Sequence, residues 1–264
     1  MKGIDIIRNA VELTLISGQL EDEQPGSLLI TAQVEEGKTH LVSRYASLPT
    51  VAFLADATAY GIVQAYKSQL LGGTLRTLIL PELIRPLERQ KETASSFVAF
   101  LAELMEEGIK EIQTYATSFR LPVPVKAGVI ACIARGPFEH RVRYWNESGF
   151  LSRFLVISYG YSKETADTVR RAILERETRQ PEMLTLPPKG KVVLPMPAAE
   201  RLAQLAVPLA QGVYQPLHGF RMQKHLQRLA MASALREERG IVAAKDLEAV
   251  EQIAKYVNLQ YAEI

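Results

Sequence analysis

The sequence contains a single cysteine, Cys132, which excludes an intramolecular disulfide and points to a reducing compartment. Its neighbours in GVIACIA are apolar, so the thiol reads as a buried packing group rather than a nucleophile. Asparagine is scarce as well: Asn9, Asn146 and Asn258 are the only three, a weak sign of thermal adaptation. The four histidines, at 40, 140, 218 and 225, are scattered and lack the spacing and the Cys, Asp and Glu company of a metal site. Long apolar runs are missing too. The longest stretch free of charge, Leu202 to Phe220, is interrupted by Pro208, Pro216 and two glycines, which argues against a membrane span. The opening MKGIDIIRNAVELTL carries Asp5, Arg8 and Glu12 among its apolar residues, which breaks a signal-peptide core. The expectation is a soluble, cytoplasmic chain with no membrane partner. No G-x-S-x-G or catalytic-cysteine pattern occurs. A net charge of +2 does not by itself indicate a polyanionic partner, so nucleic-acid binding has to be argued from local groups.

What the chain does have is enough apolar residue to bury a large core, 47% over 264 residues. Within it, SLLITAQVEEGKTHLV (Ser27 to Val42) carries the clearest chemistry. Leu28, Leu29 and Ile30 predict a buried strand, and the residues after Lys38 predict a helix. Against the phosphate-loop pattern G-x-x-x-x-G-K-[ST], Gly37, Lys38 and Thr39 fall into place, while Ala32 stands where the first glycine belongs. A loop of this kind converges N–H groups and a lysine on one anion, with the threonine hydroxyl holding magnesium. Glu35 and Glu36 would repel the same anion and are expected to point outward. The competing reading is an ordinary strand, turn and helix.

The periodicity predicts a leading amphipathic helix over residues 4–18, then strands at TVAFLA, TLRTLILPEL, KAGVIACIA and GFLSRFLVISYGY, separated by helical stretches. The helix TASSFVAFLAELMEE is expected to start with a capping Thr93 and stop at Gly108. Its last carboxylates, Glu106 and Glu107, with Glu103 one turn earlier, read as a solvated helix end. IKEIQTYATSFR suggests a hairpin arm, and the proline-rich QPEMLTLPPKGKVVLPMPAAE suggests a linker. From Glu200 the pattern is helical in three segments. Strands alternating with helices argue for a largely parallel sheet wrapped by helices, an α/β fold. The expected organisation is an N-terminal helix and turn (1–26), a P-loop core (27–180), a linker (181–199) and a small helical lid (200–264).

In motif order, residues 27–255 resemble an AAA+ ATPase, and within that group the minichromosome maintenance helicases and related ATPases of phages and mobile elements. GFLSRF is similar to the LLSRFD segment of those helicases, which by resemblance makes Arg153 an arginine finger reaching a neighbour's nucleotide. A local ion pair, for example with Glu147, is the alternative. RMQKHLQRLAMASALRE followed by VAAKDLEAV resembles the lid segment that senses nucleotide, which implies a sensor role for Arg221; a basic solvated surface is the alternative. Glu82 in TLILPEL stands where the resemblance implies the catalytic carboxylate, but Pro81 replaces its aspartate partner, leaving Asp56 as a substitute. Ala134 replaces a polar sensor residue, a second departure that weakens hydrolysis more than binding.

The resemblance implies ATP and Mg²⁺ as cofactors, a homo-oligomeric ring such as a hexamer, and DNA as partner. The implied activity is ATP hydrolysis coupled to DNA unwinding or remodelling, as a helicase, replication initiator or loader. Lys110, Tyr115 and Arg120 on the predicted hairpin are the candidate DNA contacts, since cations and an aromatic suit a single strand. The alternative is a nucleotide-binding scaffold or switch with little turnover.

Overall fold

The computed structural model describes residues 2–114, 117–176, 183–211, 218–257 and 262–264, without the side chains of 2, 3 and 112–119. It begins with α1 (Lys2–Ser17), β1 (Leu28–Ala32), α2 (Lys38–Ser43), β2 (Val51–Phe53), α3 (Ala59–Leu71), β3 (Thr77–Leu80), α4 (Ile84–Leu87) and α5 (Lys91–Met105). A hairpin of β4 (Ile109–Thr114) and β5 (Thr117–Val125) leads into β6 (Gly128–Ala134), α6 (Arg135–Glu139) and α7 (Val142–Glu147). A 3₁₀ turn, Leu151–Arg153, precedes β7 (Leu155–Gly160) and α8 (Lys163–Leu174). The chain closes with α9 (Met196–Ala210), α10 (Phe220–Arg236), α11 (Ala244–Ala254) and β8 (Ala262–Glu263).

The expected α/β architecture is present as a six-stranded sheet in the order β2-β3-β6-β1-β7-β8, with every pairing parallel. β1 is interior, pairing with β6 through Leu28↔Ile130 and with β7 through Leu28↔Leu155, and all five of its residues are buried. Alternate residues of a strand face opposite sides, so a strand buried on both reads as an uninterrupted apolar run. Accordingly Leu28, Ile30 and Ala32 pack with α1, α2, α9, α10 and α11, whereas Leu29 packs with α3, α5, α6 and α7. The chain leaves β1 toward β2 but later crosses back from β6 to β7 on the far side of β1. Right-handed crossovers in opposite directions put their helices on opposite faces.

Several local expectations shift. α5 starts at Lys91 with Gln90 as its N-cap, so Thr93 lies inside the helix and caps nothing. The GFLSRF segment does not enter its strand at Ser152; it first forms the 3₁₀ turn. The proline-rich stretch is strapped to the core, with Gly190 bridging Leu20, Val193 bridging Ile241, and Leu186 and Val192 packed on the apolar cluster of α1 and α10. α1 is itself a core helix, with Ile7, Val11, Leu13 and Ile16 fully buried. Among the described residues no helix is long and apolar enough to cross a membrane.

Two buried features of the frame give measurable outcomes. A Cβ added at Gly128 would lie 2.1 Å from the Gly26 carbonyl oxygen, a backbone atom that cannot turn away. Gly128→Ala should therefore destabilise the fold by about 3 kcal/mol in urea denaturation. Gly136→Ala, with nothing within 4 Å of the new carbon, should be neutral or gain up to about 1 kcal/mol. Asp246 is 1% exposed and accepts from Arg239 Nη1 at 2.8 Å, Arg239 Nη2 at 2.6 Å and the Ala243 N–H at 2.8 Å. Burial pushes its carboxyl up, but the Arg239, Ala243 and Ser233 hydrogen bonds outweigh that and hold it below the ordinary 3.8. Its stabilisation is then present above pH 3.8 and lost as the pH falls through the lower folded value. Asp246→Asn should cost about 3 kcal/mol at pH 7, with the gap to the parent protein closing in acid.

Candidate functional site

Six parallel strands place their C-terminal ends along one edge of the sheet, and ligands of open α/β sheets bind there where the strand order reverses. That point is between β1 and β6, whose connections leave in opposite directions. The loop Gln33–Gly37 rises from the end of β1, with Glu35 (φ 69°) and Gly37 (φ 73°) both left-handed. The positive φ favours glycine at 37, and an added Cβ would also sit 2.8 Å from Tyr161 Oη, which would have to shift. Lys38 opens α2, and its amine donates to the Ala32 carbonyl at 3.0 Å and to the Gln33 carbonyl. Burial of the half-exposed ammonium lowers its pKa, against the opposing influence of Cys132 and Glu36. Thr39 is exposed beside it. The N–H groups of Gly37, Lys38 and Thr39 have no acceptor among the described residues, as expected for a first helical turn. A lysine and free N–H donors form a donor set that fits a phosphate.

Glu36 departs from expectation. Glu35 is exposed as anticipated, but the Glu36 carboxylate turns inward, accepting from the Gln33 N–H at 2.6 Å and the Tyr161 N–H at 2.9 Å. Tyr159 Oη, fully buried and stacked on Tyr161, donates to the Glu36 carbonyl at 2.7 Å. The repulsion anticipated from two carboxylates is thus reduced to one, and the other fastens the loop to the end of β7. Cys132 is buried behind Lys38, and burial pushes its thiol up to about 12, so it stays protonated at neutral pH.

Glu82, Asp56 and Arg135 follow β3, β2 and β6 on this same edge. Each is engaged nearby: Glu82 with Arg85, Asp56 with Arg89 at 2.6 Å, and Arg135 with Glu139 at 2.7 Å. Arg135 directly follows Ala134, which is in register with Ala32. Among the described residues no group of three or more His, Cys, Asp or Glu is placed to hold a metal.

Arg153 and Arg221 lie at the other edge. The register Leu28↔Leu155 puts Arg153 beside the start of β1, about 13 Å of strand away from the Lys38 loop. Phe150 and Phe154, both 2% exposed, anchor its turn in an edge-to-face aromatic chain with Trp145 and Phe138. Arg153 donates to the Gly149 carbonyl at 2.7 Å, and its Nε lies 2.9 Å from Glu106 Oε2. Arg221, on the first turn of α10, grips both Glu106 oxygens, at 2.7 and 2.6 Å through Nη2, and donates to Ser152 Oγ at 2.8 Å. Glu147, the local partner considered for Arg153, pairs instead with Arg143 at 3.0 Å. Glu106 is therefore no solvated helix end. Burial raises its carboxyl, but Arg221 hydrogen bonds and the charges of Arg221, Arg153 and Lys224 prevail and keep it below the usual range. One chain does not bring Lys38 together with Arg153 or Arg221.

The expected hairpin is present as β4 and β5, rising from this second edge, with Lys110 and Arg120 exposed and Glu111 opposite Arg120. Tyr115 lies outside the described residues. Sequence reasoning missed Glu36, Tyr161 and Glu106 as parts of these arrangements. Only Glu106 left a signal, a carboxylate two residues before a glycine at the end of a helix. No protein-family model matches this chain, and comparison with curated proteins gives no match either.

Removal of the Glu36 carboxylate leaves two backbone donors without acceptors. In Glu36→Ala the exchange of the Gln33 and Tyr161 amides should accelerate at least tenfold, as a hydrogen bond to a charged acceptor contributes about 1.5–3 kcal/mol. Unchanged protection in hydrogen–deuterium exchange would contradict this account of the loop.

Proposed function

We propose that the chain is an oligomeric ATPase that binds ATP and magnesium at the Lys38 loop and works on DNA. The observation that carries this reading is Lys38 itself. It is a partly desolvated ammonium on a loop with two left-handed residues, at the switch point of a parallel sheet, followed by unpaired N–H groups and a hydroxyl. Lys38 and the N–H groups of Gly37 to Thr39 hold the phosphates, and Thr39 holds the magnesium ion. Bound ATP with its metal would supply the γ-phosphoryl group, which passes to water as ADP leaves. Glu82 and Asp56, from the same edge, are the chain's carboxylates for orienting that water.

Arg153 and Arg221 stand at the opposite edge, so in this reading they serve a nucleotide across a contact between copies, in a ring such as a hexamer. A guanidinium is always charged and planar, and it stabilises charge on a transferring phosphoryl group. The exposed Lys110 and Arg120 of the hairpin support DNA as the partner, through phosphate contacts that weaken steeply with salt. Helicase, initiator and loader share these parts, as in the AAA+ enzymes that the motifs resemble.

A second reading, a nucleotide-binding switch with little turnover, is favoured by one observation: Glu82 is paired with Arg85 and lacks an acidic neighbour at Pro81. ATP hydrolysis by the purified chain, with and without single-stranded DNA, separates the two. Lys38→Ala should abolish nucleotide binding. Arg153→Ala should lower turnover roughly 1,000-fold while the affinity for ATP stays within about twofold. Turnover unaffected by Lys38→Ala sinks the ATPase reading, and tight binding without turnover selects the switch.

A further inference from the structure

Among the described residues, Glu106 is the only carboxylate lining a 190 Å³ cavity that Lys126, Arg153, Arg221, Lys224 and Arg228 also line. Lys224, His225 and Arg228 follow Arg221 at three, four and seven residues, so α10 presents them on one face. His225 is buried and its ring is held neutral, with a pKa lowered to about 3 by desolvation and by Arg228, so it adds no charge. Glu107 lies 3.9 Å from Arg153, and Glu23 lies 3.5 Å from Arg228. Counting all three carboxylates against the five cations leaves two positive charges in excess. Arg228 is only 9% exposed, and its Nε is the atom that faces Glu23 Oε2 at 3.5 Å. For a protein whose total charge is +2, this is a marked local concentration.

With Glu106 displaced, the five cations face only Glu107 and Glu23, three positive charges in excess, which attracts a terminal phosphate of about −1.5 to −2 at neutral pH. Such a phosphate also offers a guanidinium fork the same paired oxygens as a carboxylate does. Glu106 is the residue just past α5, outside helical geometry at φ −128° and ψ −67°, its side chain is one-third exposed, and Gly108 follows with φ 87°.

We propose that Glu106 is an internal stand-in for a phosphate group, closing an anion site formed by Arg153, Arg221 and Lys224 until a polyphosphate displaces it. The proposal rests on the arginine assignment made above and adds its regulation: the arginines are latched within their own chain and released by the ligand. The phosphate can come from a nucleotide held by a second copy or from free polyphosphate.

Tripolyphosphate is titrated calorimetrically into the full chain carrying Lys38→Ala, which removes the other phosphate site. Adding Glu106→Gln, close in shape but uncharged, should tighten binding at least tenfold. Glu106→Asp, which keeps the charge on a shorter arm, should gain less, and Arg221→Ala should abolish binding in every background. Thermal melts identify any variant that has not folded. Affinity unchanged or weakened by Glu106→Gln, or binding that survives Arg221→Ala, overturns the proposal. With Lys38 intact, a neighbour's nucleotide as the source predicts that Glu106→Gln lowers the protein concentration at which ATP assembles the chain. A free source predicts the tripolyphosphate gain without that change. A chain that gains tripolyphosphate affinity yet never hydrolyses ATP would refute the ATPase reading and leave the anion site standing.

Discussion

Burial of β1 on both faces is the constraint on which the rest of this structure depends. A strand with no solvated side must recruit a helical layer above and another below. Here Leu28 and Ile30 hold α1, α2 and the C-terminal helices while Leu29 holds α3, α5, α6 and α7. The two crossover directions around β1 satisfy this requirement and create the switch point at the same time. The place where an anion can be met by backbone N–H groups is thus a by-product of how the chain covers its central strand.

Parallel strands also separate the chemistry into two edges. The loop carrying Lys38 stands on one, and the 3₁₀ turn carrying Arg153 stands on the other, because one follows β1 and the other precedes β7 in register. Within a single chain those charges do not cooperate. Each edge instead carries its own internal carboxylate: Glu36 tied to the Gln33 and Tyr161 amides, and Glu106 gripped by Arg221 and Arg153. In both, an acidic side chain satisfies donors that would otherwise be left unpaired beside a cation, at the energetic expense of an oriented carboxylate.

The element types were largely legible. Apolar runs of four to seven residues gave strands, 3.6-residue periodicity gave helices, and the segment after Gly108 was read as a hairpin arm. The helix start at Lys91 was not, since Gln90 caps it with no side-chain bond that a sequence pattern would mark. The proline-rich segment read as a linker because proline removes donors; its Leu186 and Val192 nevertheless pack on the core, which composition does not reveal.

The residues at both edges were named in advance more readily than their company. Lys38, Thr39 and Arg153 stand out by motif, a property of neighbours along the chain. The sequence by itself determined the parallel α/β layering and which short segments carry concentrated charge, because periodicity and local spacing act over a few residues. Only the tertiary structure decided that Glu36 turns inward, that Glu106 lies between two arginines 47 and 115 residues away, and that Lys38 and Arg153 occupy opposite ends of the sheet. Those outcomes depend on strand register and crossover direction, which bring together groups that no local pattern relates.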